Sequence, residues 1–298
     1  MATYAGDFSR KGPGLLLRDL LKEEPVPGVP TIAAARPDVL LLTDVDFDAG
    51  LAALSQLQRR LREVGLDLPY AFAARPNTGL QTGRDLDGDG RLGGPRDAQG
   101  YGWFSGQAGQ AVLSRWPVEL VTSHSEMLWE AVPDSAIRRD DPGKGLQRLS
   151  SSAHWAVRVR TPGGAVQLLT VGATPPVFDG PEDRNGRRNR DEVLLWAHVL
   201  DGKLGPVPEG PVVLLGNLNL DPARGQGIRE AVDIVLRHSR LQDPLPDQPT
   251  VAWETAGEMR VSYVLPSKAL EIHDAGISPP EPDAGPHRLV WVDLHWPD

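Results

Sequence analysis

The sequence predicts two β-sheets packed face to face with helices over both outer faces, a four-layer α/β/β/α sandwich of mixed α/β class in one domain over residues 1–298. Two observations carry this. Runs such as Val212-Val213-Leu214-Leu215 are continuously apolar and β-favouring, as in strands buried on both faces, and they end in polar loops such as Gly216-Asn217-Leu218-Asn219-Leu220-Asp221-Pro222. Helical patterns over 15–22, 49–64, 191–200 and 227–238 fall between the strands, where they can cover the outer faces of two stacked sheets. A single sandwich of 298 residues is of ordinary size for one domain.

Taken in order, residues 2–8 read as a first strand, followed by the polar turn Ser9 to Gly14 and a leucine-faced helix over 15–22. Asp38 to Leu42 is a second buried strand that runs on into Thr43-Asp44-Val45-Asp46-Phe47-Asp48. Those carboxylates either cap the helix over 49–64 or line a site. Residues 74–110 are the most irregular part. Within them Asp85-Leu86-Asp87-Gly88-Asp89-Gly90 places oxygens at positions 1, 3 and 5 and glycine at 6 of an EF-hand-type loop. Position 12 is Arg96, which leaves Asp97 to supply the missing bidentate group. The expectation is a structural Ca²⁺ on Asp85, Asp87, Asp89 and Asp97 that staples the loop, against the alternative of a solvated acidic turn.

Ala111 to Ser114, His154 to Arg160 and Gln167 to Val171 read as strands, the second with period-two alternation. Arg184 to Arg190 gathers four arginines and two asparagines ahead of the helix over 191–200. It is either a polar lead-in or a phosphate-binding patch, since forked guanidinium groups suit anionic oxygens. The helix over 227–238, a loop over 241–257, a strand over 259–266 and a last strand over 289–294 complete the chain.

Composition narrows the function. A net charge of −9 with no basic stripe argues against long nucleic acid and anionic lipid as partners. There is no cysteine, hence no disulfide, thiolate nucleophile or thiolate metal site. No run approaches the roughly 20 apolar residues of a membrane span, and no leader precedes the first strand. A calcium loop of low charge fills best at millimolar calcium, so the expected location is outside the cytoplasm, periplasmic or extracellular with a leader removed; the cytoplasm is the alternative.

The segment Gly216-Asn217-Leu218-Asn219 resembles the Gly-Asp-x-Asn motif of the endonuclease/exonuclease/phosphatase superfamily. Longer runs look like a bacterial subgroup of it: Ala74-Arg75-Pro76-Asn77-Thr78-Gly79, the Asp-rich loop, Gly109 to Arg115, Gln147 to Ser151, Ala173 to Asn189, and Tyr263 to Ser267. The resemblance covers essentially the whole chain. It implies the four-layer sandwich and a metal-dependent phosphoesterase ancestry.

Residue by residue, however, this chain departs from the superfamily's active-site pattern. The activating Asp is Asn217, and the first-strand Asn is replaced by Ala5 and Gly6. The principal metal-binding Glu is shortened to Asp44, one His is Gly172, and a strand Asp is Ser262. His287 survives, but the Asp before it is Pro286. That mechanism needs a cation, an activated water and an acid for the leaving oxygen, and losing even one pre-organised group costs several kcal/mol. The expectation is therefore a degenerate site, with His287, Asn219 and Asn217 at the catalytic positions and Asp44 as a remnant metal ligand. The cleft would bind a phosphorylated or sugar-phosphate ligand through Arg148, Arg184, Arg187, Arg188 and His287, or another protein. The alternative is an active phosphoesterase using Mg²⁺ or Mn²⁺ on Asp7, Asp44, Asp46, Asn219 and Asp221, with His287 as base.

Overall fold

A computed structural model describes residues 1–296. Sheet one contains β1 (Ala2–Tyr4), β2 (Val39–Val45), β3 (Tyr70–Phe72) and β4 (Gly109–Ser114), together with β12 (Glu271–Ile277) and β13 (Val290–His295), in the order β12-β13-β1-β2-β4-β3. Sheet two contains β5 (Val118–Ser123), β6 (Trp155–Thr161), β7 (Gly164–Gly172), β8 (Val212–Asn217) and β11 (Ser262–Pro266), in the order β11-β8-β7-β6-β5. A small hairpin of β9 (Val251–Trp253) and β10 (Gly257–Met259) stands apart from both. The helices are α1 (Leu15–Leu20), α2 (Val29–Ala35), α3 (Ala52–Glu63), α4 (Arg184–Leu200) and α5 (Glu230–Leu236).

Strand alternation sorts the side chains into three apolar layers. Val39, Leu41, Val112, Val157, Val159, Leu168, Val213, Leu215 and Val264 meet between the sheets. Leu40, Leu42, Ala111 and Leu113 point the other way, onto α1, α2 and α3. Leu169, Val171, Val212, Leu214, Tyr263 and Leu265 point onto α4 and α5. This is the expected four-layer sandwich, helix, sheet, sheet, helix. Among the described residues no helix is long and apolar enough to cross a membrane.

The parallel pairs lie at the centre, β1 with β2 and β7 with β8, so their carboxyl ends share one edge of the sandwich. Gly216 makes that edge possible. Its φ is 139°, and a Cβ there would sit 1.9 Å from the Val171 carbonyl oxygen, so only glycine lets β7 and β8 approach at the last residues before Asn217.

Some boundaries differ from expectation. The helix expected over 191–200 begins at Arg184, so the arginine cluster forms its first two turns rather than a lead-in. The first strand ends at Tyr4, and Phe8 returns only as an isolated bridge to Val45. The strand expected over 259–266 is broken: Met259 closes the hairpin and β11 starts at Ser262.

Candidate functional site

At the shared strand edge the space between the sheets turns polar. Thr43 follows Val39 and Leu41 on the inner face of β2, and Gln110 precedes Val112 on β4. From sheet two, Gly172 continues the face of Leu168, Asn217 that of Val213 and Leu215, and Ser262 that of Val264. The period of two therefore delivers these residues to one place without a special loop. Of these, Thr43, Gly172 and Asn217 line a cleft of about 640 Å³ that Trp253, His287, Tyr101 and Phe178 also line, while Gln110 and Ser262 are buried.

Asp44 enters this cleft by a backbone distortion. The pairing of β2 with β4 slips between Thr43 and Val45, and Asp44 takes a φ of 82°. A bulge with a non-glycine residue in left-handed conformation is strained and re-aims its side chain. The carboxylate faces cleft solvent while protein surrounds its base, and burial, reinforced by the nearby charges of Asp7 and Asp46, pushes its pKa up to about 7. Its two neighbours have structural duties. Asp46 accepts hydrogen bonds from Ser9 Oγ, Arg10 N and Ala108 N, and Asp48 accepts from Ala52 N and Ala53 N at the start of α3.

The amides after β8 are likewise occupied. Asn217 Oδ1 accepts from Asn219 N at 2.9 Å, and Asn219 Nδ2 donates to Ala173 O at 2.7 Å from a residue at φ 50°. Asp221 accepts from Ala223 N, Arg224 N and Arg260 N. His287 packs edge-on against Trp253 with ring centroids 5.6 Å apart, and burial lowers its pKa to about 4. Its Nδ1 is buried without a protein partner, as are Thr43 Oγ1, Gln110 Oε1, Ser152 Oγ and Ser262 Oγ. At the expected second imidazole, a Cβ on Gly172 would lie 3.0 Å from Gln110 Nε2, which donates to Ala153 O at 2.8 Å. A side chain at 172 would therefore press on an anchored Gln110 amide.

The donor set does not suit the cation that the superfamily resemblance implies. Hard divalent ions need several carboxylate oxygens, and the cleft offers the free carboxylate of Asp44 beside neutral amides. Among the described residues, the group of three acidic or imidazole side chains whose ligand atoms converge, within 4.8 Å, is Asp85, Asp87 and Asp89. It lies on the irregular loop. Asp97 does not join it, because its buried carboxylate accepts from Leu86 N at 2.8 Å and Gly94 N at 3.0 Å and so folds the loop from inside.

The four arginines do not converge on the cleft. Arg187 forks onto Asp141 at 2.7 and 2.8 Å, and Arg188 donates to the carbonyls of Leu149, Gln99 and Arg148; both are buried. Arg148 is held by Asn77 Oδ1 and Glu126. Arg184, bonded to Leu86 O and Gln147 Oε1, lines a second cavity of about 920 Å³ with Arg96, Arg138, Asp140 and Asp179. That cavity adjoins the cleft, and the two share Tyr101 and Phe178. Sequence reasoning missed Glu192, fully buried and accepting from Ser151 N and Thr174 N, and the unpaired hydroxyls of Ser152 and Thr43. The signal for Glu192 was present, a carboxylate two, four and five residues after Arg190, Arg188 and Arg187 within one helix.

A family model described as the Endonuclease/Exonuclease/phosphatase family matches residues 9–292. Among solved structures the chain is similar to an endonuclease/exonuclease/phosphatase from Beutenbergia cavernae DSM 12333, at 19% identity over 99% of this chain and 70% of that one, with a TM-score of 0.63. It is similar to a mannosyl-6-phosphatase from Bacteroides thetaiotaomicron VPI-5482, at 14% identity over 99% and 98% of the two chains, with a TM-score of 0.53. Sphingomyelinase C from Streptomyces griseocarneus is similar at 17% identity over 98% and 94%, with a TM-score of 0.50. Identities this low speak to the fold alone. Comparison with curated protein sequences gives no match.

Proposed function

Because the chain belongs to the endonuclease/exonuclease/phosphatase family, we propose that it is a member whose phosphoesterase cleft has become a binding site without hydrolytic chemistry. The observation that supports this best is the state of the cleft's titratable groups. Among the described residues Asp44 is the cleft carboxylate left free, and no carboxylate bonds His287 to orient or charge it. A general base must reach the proton it takes with a pKa matched to the task. Asn217 has no such basicity, and a neutral imidazole held near 4 by burial is a poor one. In the same reading Asp85, Asp87 and Asp89 hold a structural Ca²⁺, and the protein works where calcium is millimolar, outside the cytoplasm.

The test is hydrolysis of bis(p-nitrophenyl) phosphate and p-nitrophenyl phosphate by the purified protein with Mg²⁺, Mn²⁺, Ca²⁺ or EDTA, beside His287→Ala. The expected outcome is no turnover above the buffer rate in any condition. Metal-dependent turnover that disappears in His287→Ala would overturn the proposal and assign the cleft a rebuilt catalytic site.

A further inference from the structure

Whether the cleft binds or hydrolyses its ligand, we propose that Phe178 is a sprung flap at the neck between the two cavities, open in this structure and closed when its ring lies on Tyr101. Both cavities are lined by the same short stretch, Thr174, Pro175, Val177 and Phe178, together with Tyr101. The stretch belongs to the strap that runs from the end of β7 at Gly172 to the start of α4 at Arg184. A side chain that swings on this strap reshapes both cavities at once.

The strap is fixed on either side of Phe178. At its base Ala173 N donates to Asn217 O at 2.9 Å and Thr174 N to the Glu192 carboxylate at 2.6 Å, while Thr174 O accepts from Asn189 Nδ2 at 2.7 Å. Pro175 and Pro176 follow, and their rings lock φ at about −65°. Beyond them Asn185, in the first turn of α4, holds both neighbours of Phe178. Its Nδ2 donates to Val177 O at 2.7 Å, and its backbone N donates to the Asp179 carboxylate. The Phe178 carbonyl itself receives a long bond from Arg96, at 3.4 Å.

Strain collects between these fixed points. Among the described residues Phe178 is the aromatic that holds a positive φ, 72°. For a bulky side chain that region is unfavourable, and it persists only where the surroundings impose it. Burial of the ring gives little in return, since Phe178 is 78% exposed. Turning φ to a negative value swings the ring about the strap. Tyr101, 58% exposed in the lining that the two cavities share, is the aromatic surface on which the ring can settle, and an edge-to-face pair there covers both. Closing thus relieves strain and buries apolar surface, and the Asn185 bond to Val177 opposes it. One hydrogen bond set against one strained dihedral is a balance that an occupant of either cavity can tip.

Fluorine NMR of the protein labelled with 4-fluorophenylalanine tests this, since the chain has five phenylalanines and Phe178→Leu identifies the resonance of position 178. That resonance should show millisecond exchange between two shifts, and the remaining resonances none. Asn185→Ala should raise its ratio of closed to open about fivefold, the weight of one hydrogen bond, and Tyr101→Ala should return it to the open shift. Phe178→Gly should melt roughly 2–3 °C above Phe178→Ala, because both lose the ring and only glycine takes this φ without strain. A single 178 shift, free of exchange and unmoved by Asn185→Ala and Tyr101→Ala, would overturn the proposal. So would equal melting of the glycine and alanine variants, which would mean that nothing is sprung. Asn185→Ala moving all the resonances together would mark the bond as a general prop of the fold and equally refute the flap. None of these outcomes depends on whether a phosphate ester is hydrolysed, so failure here leaves the binding proposal standing.

Discussion

Replacing Asp44 by Asn should stabilise the protein in a pH-dependent way. The carboxyl has a pKa of about 7 in the folded chain against 3.8 for the free side chain, raised first by burial and then by Asp7 and Asp46. A group whose folded pKa is raised favours the folded state below its unfolded pKa and loses that advantage as pH climbs through the folded value. The charged form is therefore a liability above pH 7. A shift of about three units corresponds to ~4 kcal/mol if expressed in full. Asp44 faces cleft solvent, and screening of an exposed charge reduces this to about 1–2 kcal/mol. Asn keeps the shape and tolerates the φ of 82° as well as Asp does. Urea unfolding of both proteins at pH 4, 6 and 8 should show equal stability at the lowest pH and a gain of that size for Asp44→Asn at the highest. A difference that does not vary with pH, or a less stable variant at pH 8, would refute the reasoning. Repeating the pH 8 comparison in Mg²⁺ separates a lone carboxyl from a metal ligand: a magnesium-dependent gain confined to the wild type would show that Asp44 still takes a cation.

Three further outcomes are expected. Arg187→Ala should cost about 3–5 kcal/mol in urea unfolding, because it strands the buried Asp141 carboxylate, whereas replacing both partners by apolar residues should recover much of that loss. His154, buried between Ser150 Oγ and Glu192 O, has its pKa lowered to about 3, mainly by burial. Its contribution to stability is complete above the unfolded pKa near 6.5 and falls by up to about 1.4 kcal/mol per pH unit below it, so His154→Gln should flatten the stability profile between pH 6.5 and 3. Calcium at ten times its Kd should add about 1.4 kcal/mol, read as a rise in Tm that Asp87→Asn abolishes; an unchanged Tm in millimolar calcium would leave Asp85, Asp87 and Asp89 as a solvated turn.

The central strands were legible because burial on both faces writes a continuous apolar run, as in Val212 to Leu215 and Leu40 to Leu42. Of the four edge strands of the two large sheets, only the buried β11 was legible. Tyr70–Phe72, Val118–Ser123 and Glu271–Ile277 carry mostly exposed or half-buried side chains, so their pairing is set by partners distant in sequence. The helix Val29–Ala35 was missed because it is seven residues long and carries a proline in its first turn. At the site, the substituted positions could be read from the sequence, and the cleft did assemble Asp44, Asn217, Asn219 and His287. The arginines misled because a guanidinium reads alike whether it faces a ligand or a buried carbonyl. Arg188 finds three carbonyls from the loops that cross above α4, a fact of tertiary packing alone.

Gln110 ties position 172 to position 110. A Cβ at 172 would lie 3.0 Å from an amide that is anchored to the Ala153 carbonyl. Gly172→His introduced alone meets a tight, anchored neighbour, whereas Gln110→Ala introduced alone leaves the Ala153 oxygen bare and a void beside it. The two changes made together relieve both faults, so their costs should not add, and an engineer placing an imidazole at 172 would have to change position 110 along with it.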